Sequence, residues 1–169
     1  MKKIILLFLI CSLCFHCGYH LRGTGSSLPP YIKVLNVPMF VNLTTRFELD
    51  LKLTQEVIDE MVTRGKVEIT DKMEDADAIL IGEILRFHAM PIGFGQDATA
   101  DRYSISIVAK VILRDMVQKK VIFSNPSFVY QGEYAVPEGA DFESVETEAI
   151  DEMAVKFARS LVVAILEGF

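Results

Sequence analysis

The ten residues Ala78-Ile79-Leu80-Ile81-Gly82-Glu83-Ile84-Leu85-Arg86-Phe87 constrain this chain more than any other stretch. Apolar side chains fall on both parities, so an extended strand here has no fully wet face; it reads as a central strand. The segment from Arg102 to Arg114 is cleaner. Tyr103, Ile105, Ile107, Ala109, Val111 and Leu113 share one face, while Ser104, Ser106, Lys110 and Arg114 share the other with Val108 and Ile112. One face is core and the other is mixed.

The remaining elements follow from period and punctuation. Tyr31 to Val37 is β-rich and ended by Pro38, which reads as a strand, and Asn42-Leu43-Thr44 reads as a turn. Thr45 and Glu48 fit a capping box, and Phe47, Leu51, Ile58, Met61 and Val62 recur at helical spacing, widened by Leu49, Leu53 and Val57. With Gly65 as a stop, the spacing predicts a helix over 45–64. Val67 to Ile69 is a candidate short strand, and Asp71 to Asp77 a charged turn. After the 102–114 strand, Asp115 to Lys119 reads as a hairpin turn, and Lys120 to Tyr134 as another strand in which Pro126 predicts a bulge or an edge position. Asp141 is a plausible cap for a last helix. There Val145, Ala149, Met153, Phe157, Leu161 and Ile165 step by four, with acidic residues early and Lys156 and Arg159 later, matching the helix dipole.

The predicted order is β-α-β-β-β-α, an α/β (α+β) two-layer sandwich: a four-stranded mixed sheet with both helices packed on one face. That arrangement leaves the other sheet face uncovered. Val108, Lys110 and Ile112 lie on it, so it is either a partner surface or an ordinary exposed face.

The amino terminus reads separately. Met1-Lys2-Lys3 leads an apolar run that continues to Phe15, a basic start followed by roughly 10–14 apolar residues, too short to span a bilayer as a helix. We expect residues 1–16 to be an export signal that is removed, 17–30 a tether and linker, and 31–169 a single domain. Cys11, Cys14 and Cys17 stand near His16 and His20, but removal of the first two cysteines would cut any metal site in half, so no metal is expected. Cys17-Gly18 resembles the acceptor site of bacterial lipoproteins, although Cys14-Phe15-His16 departs from the small residues usual before such a cysteine. The resemblance implies diacylglycerol on the Cys17 thiol and an acyl chain, such as palmitate, on its amino group, with no other cofactor. More than one acyl chain is needed for stable anchoring, at about 0.8 kcal/mol per buried methylene.

The charge balance, 17 basic against 23 acidic side chains, argues against a nucleic-acid partner. Catalytic signatures are also lacking. Only His20 and His88 would survive processing, there is no nucleophile elbow, and Gly93-Phe94-Gly95-Gln96-Asp97-Ala98 matches a dinucleotide fingerprint by letter but precedes a strand instead of a helix. We therefore expect no enzyme. The segment from Ala89 to Ala100 reads as a loop carrying Ile92 and Phe94, which either touch an acyl chain or a partner's wall or fold back onto the core.

Taken together, the junction Cys17-Gly18-Tyr19-His20-Leu21-Arg22-Gly23, the strand end Val37-Pro38-Met39-Phe40 with Asn42 and Thr44 before a helix, the Ala76-to-Ile84 strand and the Tyr103-to-Leu113 strand resemble the LptE family of lipopolysaccharide-assembly lipoproteins. The resemblance implies a lipid-anchored subunit of the outer-membrane lipopolysaccharide translocon, lodged from the periplasmic side in the lumen of the LptD β-barrel, assisting its assembly and the delivery of lipopolysaccharide to the cell surface. It implies no catalysis. Tyr19, His20, Leu21 and Arg22 then read as the start of the domain or its first contact with the barrel. Family members that contact lipopolysaccharide use basic loop residues, whereas Gln96–Ala100 and Ala135–Gly139 hold no lysine or arginine here. Plugging or scaffolding is the part of that function these residues support, and a lipid-anchored scaffold of another envelope complex, or a lipid-anchored enzyme, stays open as the alternative.

Overall fold

The computed structural model describes residues 28–95 and 99–167. The predicted signal segment and the site residues Cys17, Tyr19, His20, Leu21 and Arg22 lie outside them. The described elements are β1 (Val34–Asn36), β2 (Val41–Asn42), α1 (Leu49–Glu60), β3 (Glu68–Ile69), β4 (Ala78–Phe94), β5 (Ala100–Asp115), β6 (Lys120–Ala135) and α2 (Phe142–Glu167).

They form one mixed sheet of six strands, not four, in the order β3-β1-β4-β5-β6, with β2 paired to β4 beside that path. The two additional strands, β2 and β3, have two residues each, too short to show any period. β1 and β2 both run parallel to β4, at Ala78–Ile79 and at Glu83–Ile84. Because β5 occupies the opposite edge of β4 along its whole length, β1 and β2 lie end to end in a single lane. β4, β5 and β6 form the expected antiparallel meander.

The 45–64 helix is shorter than predicted, and only one side of the predicted wide stripe is buried. Leu49, Leu53 and Val57 are buried with Met61, while Phe47, Leu51 and Val62 are exposed. The capping box does not form: Glu48 takes the left-handed position (φ 58°) without a side-chain cap, and α1 begins after it. Asn42 makes the entry turn instead, accepting from the Thr44 N–H (3.0 Å) and hydroxyl (2.7 Å) and donating to the Arg46 carbonyl (2.8 Å). Past Glu60 the helix widens into a π-type turn over Met61–Gly65, and Lys66, not Gly65, adopts the left-handed conformation that ends it. α2 matches its prediction closely. Ala149, Ile150, Met153, Ala154, Phe157, Ala158, Leu161, Val162 and Ile165 are all buried, and Asp141 accepts from the Ser144 N–H (2.9 Å).

Both helices contribute to one core against the odd-numbered face of β5, with Leu35 and Leu80 from the neighbouring strands. Phe157 meets Phe128 and Tyr130 edge-on, with centroids at 5.4 and 6.5 Å. Arg46–Glu146 (2.7 Å) and Lys52–Asp151 ion pairs tie α1 to α2. Gly82 faces the ring of Phe40 so closely that a Cβ there would lie 2.6 Å from ring carbons. Pro126 sits where expected: β6 is an edge strand, and its register against β5 shifts between Phe128 and Asn125.

The expected 89–100 loop is largely strand. Ala89 to Phe94 continues β4, with Ala89 opposite Ile105 and Pro91 opposite Tyr103. The breakers Pro91 and Gly93 are accommodated by register shifts between Pro91 and Gly93 and between Gly93 and Phe94.

Candidate functional site

The uncovered face of the sheet is built by alternation across three strands. On β5 it carries Ser104, Ser106, Val108, Lys110 and Ile112; register places Met90, His88, Arg86, Glu83 and Ile81 beside them on β4, and Glu133, Gln131, Val129 and Ser124 on β6. Of the three β5 residues assigned to this face, Val108 is only 6% exposed, so it supports the surface without offering much contact area. Ile112 is half-buried. Lys110 is not a free cation: its Nζ pairs with Glu83 Oε1 at 3.1 Å, directly across the ladder. The apolar area on offer comes instead from Ile81 and Val129, with Val121 toward the hairpin end. Sequence reading missed these residues. Ile81 belongs to a run apolar on both parities, which does not single out one open face, and Val129 follows Pro126, where the register change hides its parity.

Ile92 and Phe94 lie elsewhere, at the far end of the β4–β5 ladder, with Phe94 opposite Ala100. That is on the order of 30 Å along the strand from Lys110. Both are exposed, Phe94 at 66%, so the reading that folds them onto the core is overturned. Met90 is exposed beside them. A cleft of 1220 Å³ opens at this end, lined by Thr99 to Tyr103, the 135–140 segment and Phe142. Tyr103 stacks on Tyr134 at 5.3 Å and meets Phe142 at 5.1 Å beneath it.

A second set of exposed apolar residues flanks α1: Leu43, Phe47 (83% exposed) and Leu51. Arg46 points the other way, with its guanidinium 5.9 Å from the Phe87 ring centroid. Thus Leu43 and Phe47 stand near the point where β2 leaves β4.

The buried ionisable groups serve the scaffold. Asp77 accepts the backbone N–H groups of Lys33 and Val34, both at 2.9 Å, and these bonds hold its carboxyl below the usual range. Asp115 is fully buried. Burial pushes its pKa up, but the Tyr31 hydroxyl (2.5 Å), the Gln118 N–H (2.8 Å), the Val117 N–H and nearby Lys120 outweigh that and keep it lowered. Among the described residues no group of three or more His, Cys, Asp or Glu side chains could hold a metal ion. No described helix is long and apolar enough to cross a membrane.

A family model described as LptE, lipopolysaccharide-assembly, matches residues 32–165. None of the curated proteins compared matches this sequence. Solved structures do match in fold. Hypothetical protein CT253 of Chlamydia trachomatis is 12% identical with a TM-score of 0.55, covering 82% of this chain and 97% of that one. The rare lipoprotein B of Shewanella oneidensis is 12% identical with a TM-score of 0.51, covering 79% and 93%. An uncharacterized lipoprotein B of Nitrosomonas europaea is 13% identical with a TM-score of 0.51, covering 89% and 88%. At these identities the likeness is one of fold.

Proposed function

This chain belongs to the LptE lipopolysaccharide-assembly family, and from that premise we propose that it is a non-catalytic, lipid-anchored subunit of the outer-membrane lipopolysaccharide translocon. In this reading Cys17 carries diacylglycerol and an acyl chain, and the domain sits on the periplasmic side within the lumen of an LptD-type barrel as plug and assembly scaffold. The family match, which spans the domain from β1 to near the end of α2, is the observation that carries it. The sheet adds support. One face holds the helices, while the other presents Ile81, Ile112 and Val129 between the Glu83–Lys110 pair and polar side chains, a mixture suited to a partly polar wall. The 135–139 segment beside the terminal cleft contains no lysine or arginine, and Arg102 is the single basic side chain among the residues that line it, next to the acidic Asp101, which gives lipopolysaccharide phosphates few partners there.

The test is recovery of the full-length protein from membranes, with intact-mass analysis of its amino terminus. We expect copurification with the LptD-type barrel and a mature mass starting at Cys17 with acyl additions. The Cys17→Ser variant is expected to accumulate as precursor without fatty acid. Recovery of the wild-type chain without a barrel would sink the partner assignment, and normal fatty-acid labelling of Cys17→Ser would move the anchor elsewhere.

A further inference from the structure

Residues 28–34 enter the sheet through hydrogen bonds that converge on two carboxylates. Asp77, just before β4, accepts the Lys33 and Val34 N–H groups on Oδ2, both at 2.9 Å, and donates its own N–H to the Val34 carbonyl at 2.9 Å. Asp115, the last residue of β5, accepts the Tyr31 hydroxyl on Oδ2 at 2.5 Å and the Gln118 N–H on Oδ1 at 2.8 Å. The Met116 N–H donates to the Asp77 carbonyl at 2.8 Å, so the two acids are fixed beside each other where the β4–β5 ladder starts.

These ties depend on ionisation. A carboxylate only accepts, and Asp115 already uses both oxygens, so a proton on either one would face a donor. The charged and titratable groups facing the pair are Lys33 and Asp115 around Asp77, and Tyr31 and Lys120 around Asp115. For both acids the balance lies below the ordinary carboxylate range. The Lys33 and Val34 N–H groups lead for Asp77; for Asp115 burial acts upward and is outweighed by the Tyr31 hydroxyl, the N–H donors and Lys120. The sign follows: what these acids contribute to the fold is present above the unfolded value of 3.8 and is lost as pH falls below it.

One flank of the entry segment is open. A cleft of 350 Å³ lies between Leu28–Lys33 and Gly65–Glu68. Leu28 and Ile32 reach the core, but β4, β5, β6 and α2 are joined to one another by long ladders and apolar packing that protonation does not touch. Segments of unequal support open separately.

We propose that Asp77 and Asp115 form a latch on the entry segment, pinning residues 28–34 to the start of the β4–β5 ladder and letting them go, ahead of the rest of the fold, when the two ties are broken. The latch stands on the hydrogen bonds above; its consequence rests on the lipid-anchor assignment. For a domain anchored at Cys17, the latch sets the length of the tether, since release of seven residues adds up to about 24 Å of reach.

Hydrogen–deuterium exchange on the full-length chain, expressed as protection factors so that intrinsic rates cancel, tests it. In the wild type the Ile32–Val34 amides should lose protection between pH 7 and pH 3 by a factor at least about 10 larger than the amides of Ile105–Val111 in β5 and Ile150–Leu161 in α2. The Tyr31→Phe, Asp77→Ala double variant cuts both ties without removing a buried apolar residue. It should show the same selective loss already at pH 7 and no further selective change at pH 3. Equal loss in all three segments, in the variant or in acid, overturns the latch, because the acids then hold the whole fold. Wild-type protection of Ile32–Val34 in the variant overturns it as well. Failure of the anchor assignment in the Cys17→Ser labelling would remove the tether consequence and leave the exchange result standing, so the two failures are distinct.

Discussion

Tyr31 and Tyr134 both have pKa values raised to about 12, for different reasons. The Tyr31 shift comes mainly from its hydrogen bond to Asp115, with burial and the carboxylate charge adding to it. In Tyr134 burial dominates, reinforced by Glu146, and the hydroxyl has no hydrogen-bond partner among the described residues. Since each folded-state pKa lies above the unfolded value of 10.0, the folded protein binds more protons between those values. Stability from these groups is therefore full below pH 10 and lost as pH rises toward 12. Tyr31→Phe should flatten that alkaline limb but lower stability at neutral pH, because it takes a donor from the buried Asp115 carboxylate. Tyr134→Phe should flatten it and leave neutral-pH stability nearly unchanged or raised, because no bond is lost. Urea titrations at pH 7 and pH 11 separate the two; an equal loss at pH 7 would mean that Tyr134 has a partner. Gly82 gives a sharper steric case. With the Phe40 ring 2.6 Å from where a Cβ would stand, Gly82→Ala should cost about 1–3 kcal/mol, read as a lowered urea midpoint with unchanged slope.

α1 shows what a sequence can and cannot specify about an element. Its apolar residues read as one wide stripe through Phe47, Leu51, Ile58, Met61 and Val62, widened by Leu49, Leu53 and Val57, and either side of so wide a stripe could face the core. Helical period allows both. The choice is made by tertiary contacts: Thr54, on the buried side, accepts the Phe40 N–H at 3.0 Å, and Asn42 starts the helix later than the Thr45–Glu48 box would. Leu53→Ala should accordingly cost about 2–5 kcal/mol, whereas Leu51→Ala should stay within about 0.5 kcal/mol. Thermal melts of the two variants decide which side is buried, and a reversed order would place the Leu51 side against the core. α2 was legible in full because its apolar residues admit one stripe and Asp141 marks its start. β2 was not, and β3 was legible only as a candidate strand at Val67–Ile69, since two residues carry no period. The far half of β4 was hidden by Pro91 and Gly93, which break a pattern but here only shift a ladder. Of the site, the parity of Val108, Lys110 and Ile112 followed from alternation alone, while the burial of Val108 and the pairing of Lys110 with Glu83 depend on cross-strand register, which one strand's sequence does not contain.

At the scale of the molecule, the sheet is a partition. Its odd-numbered β5 face is covered by two helices, so association through the sheet itself must use the other face, the strand edges or the terminal cleft. The open face can be tested by substitution. Ile81 and Val129 are exposed and contribute to no buried cluster, so Ile81→Asp with Val129→Asp should cost only the strand-propensity difference, on the order of 1 kcal/mol in all, with the melt still a single transition. The same change puts two carboxylates onto the open face, one of them two residues along β4 from Glu83, in a chain whose net charge is already −6. If that face packs against the barrel wall, each desolvated charge must be left unpaired or keep water at the contact, and recovery of the barrel with this chain should fall at least about 10-fold. Measuring the ratio of barrel to chain in membrane extracts reads this directly. A wild-type ratio at normal stability would assign the open face to solvent and leave the strand edges, the terminal cleft and the exposed apolar residues around α1 as the surfaces available for contact.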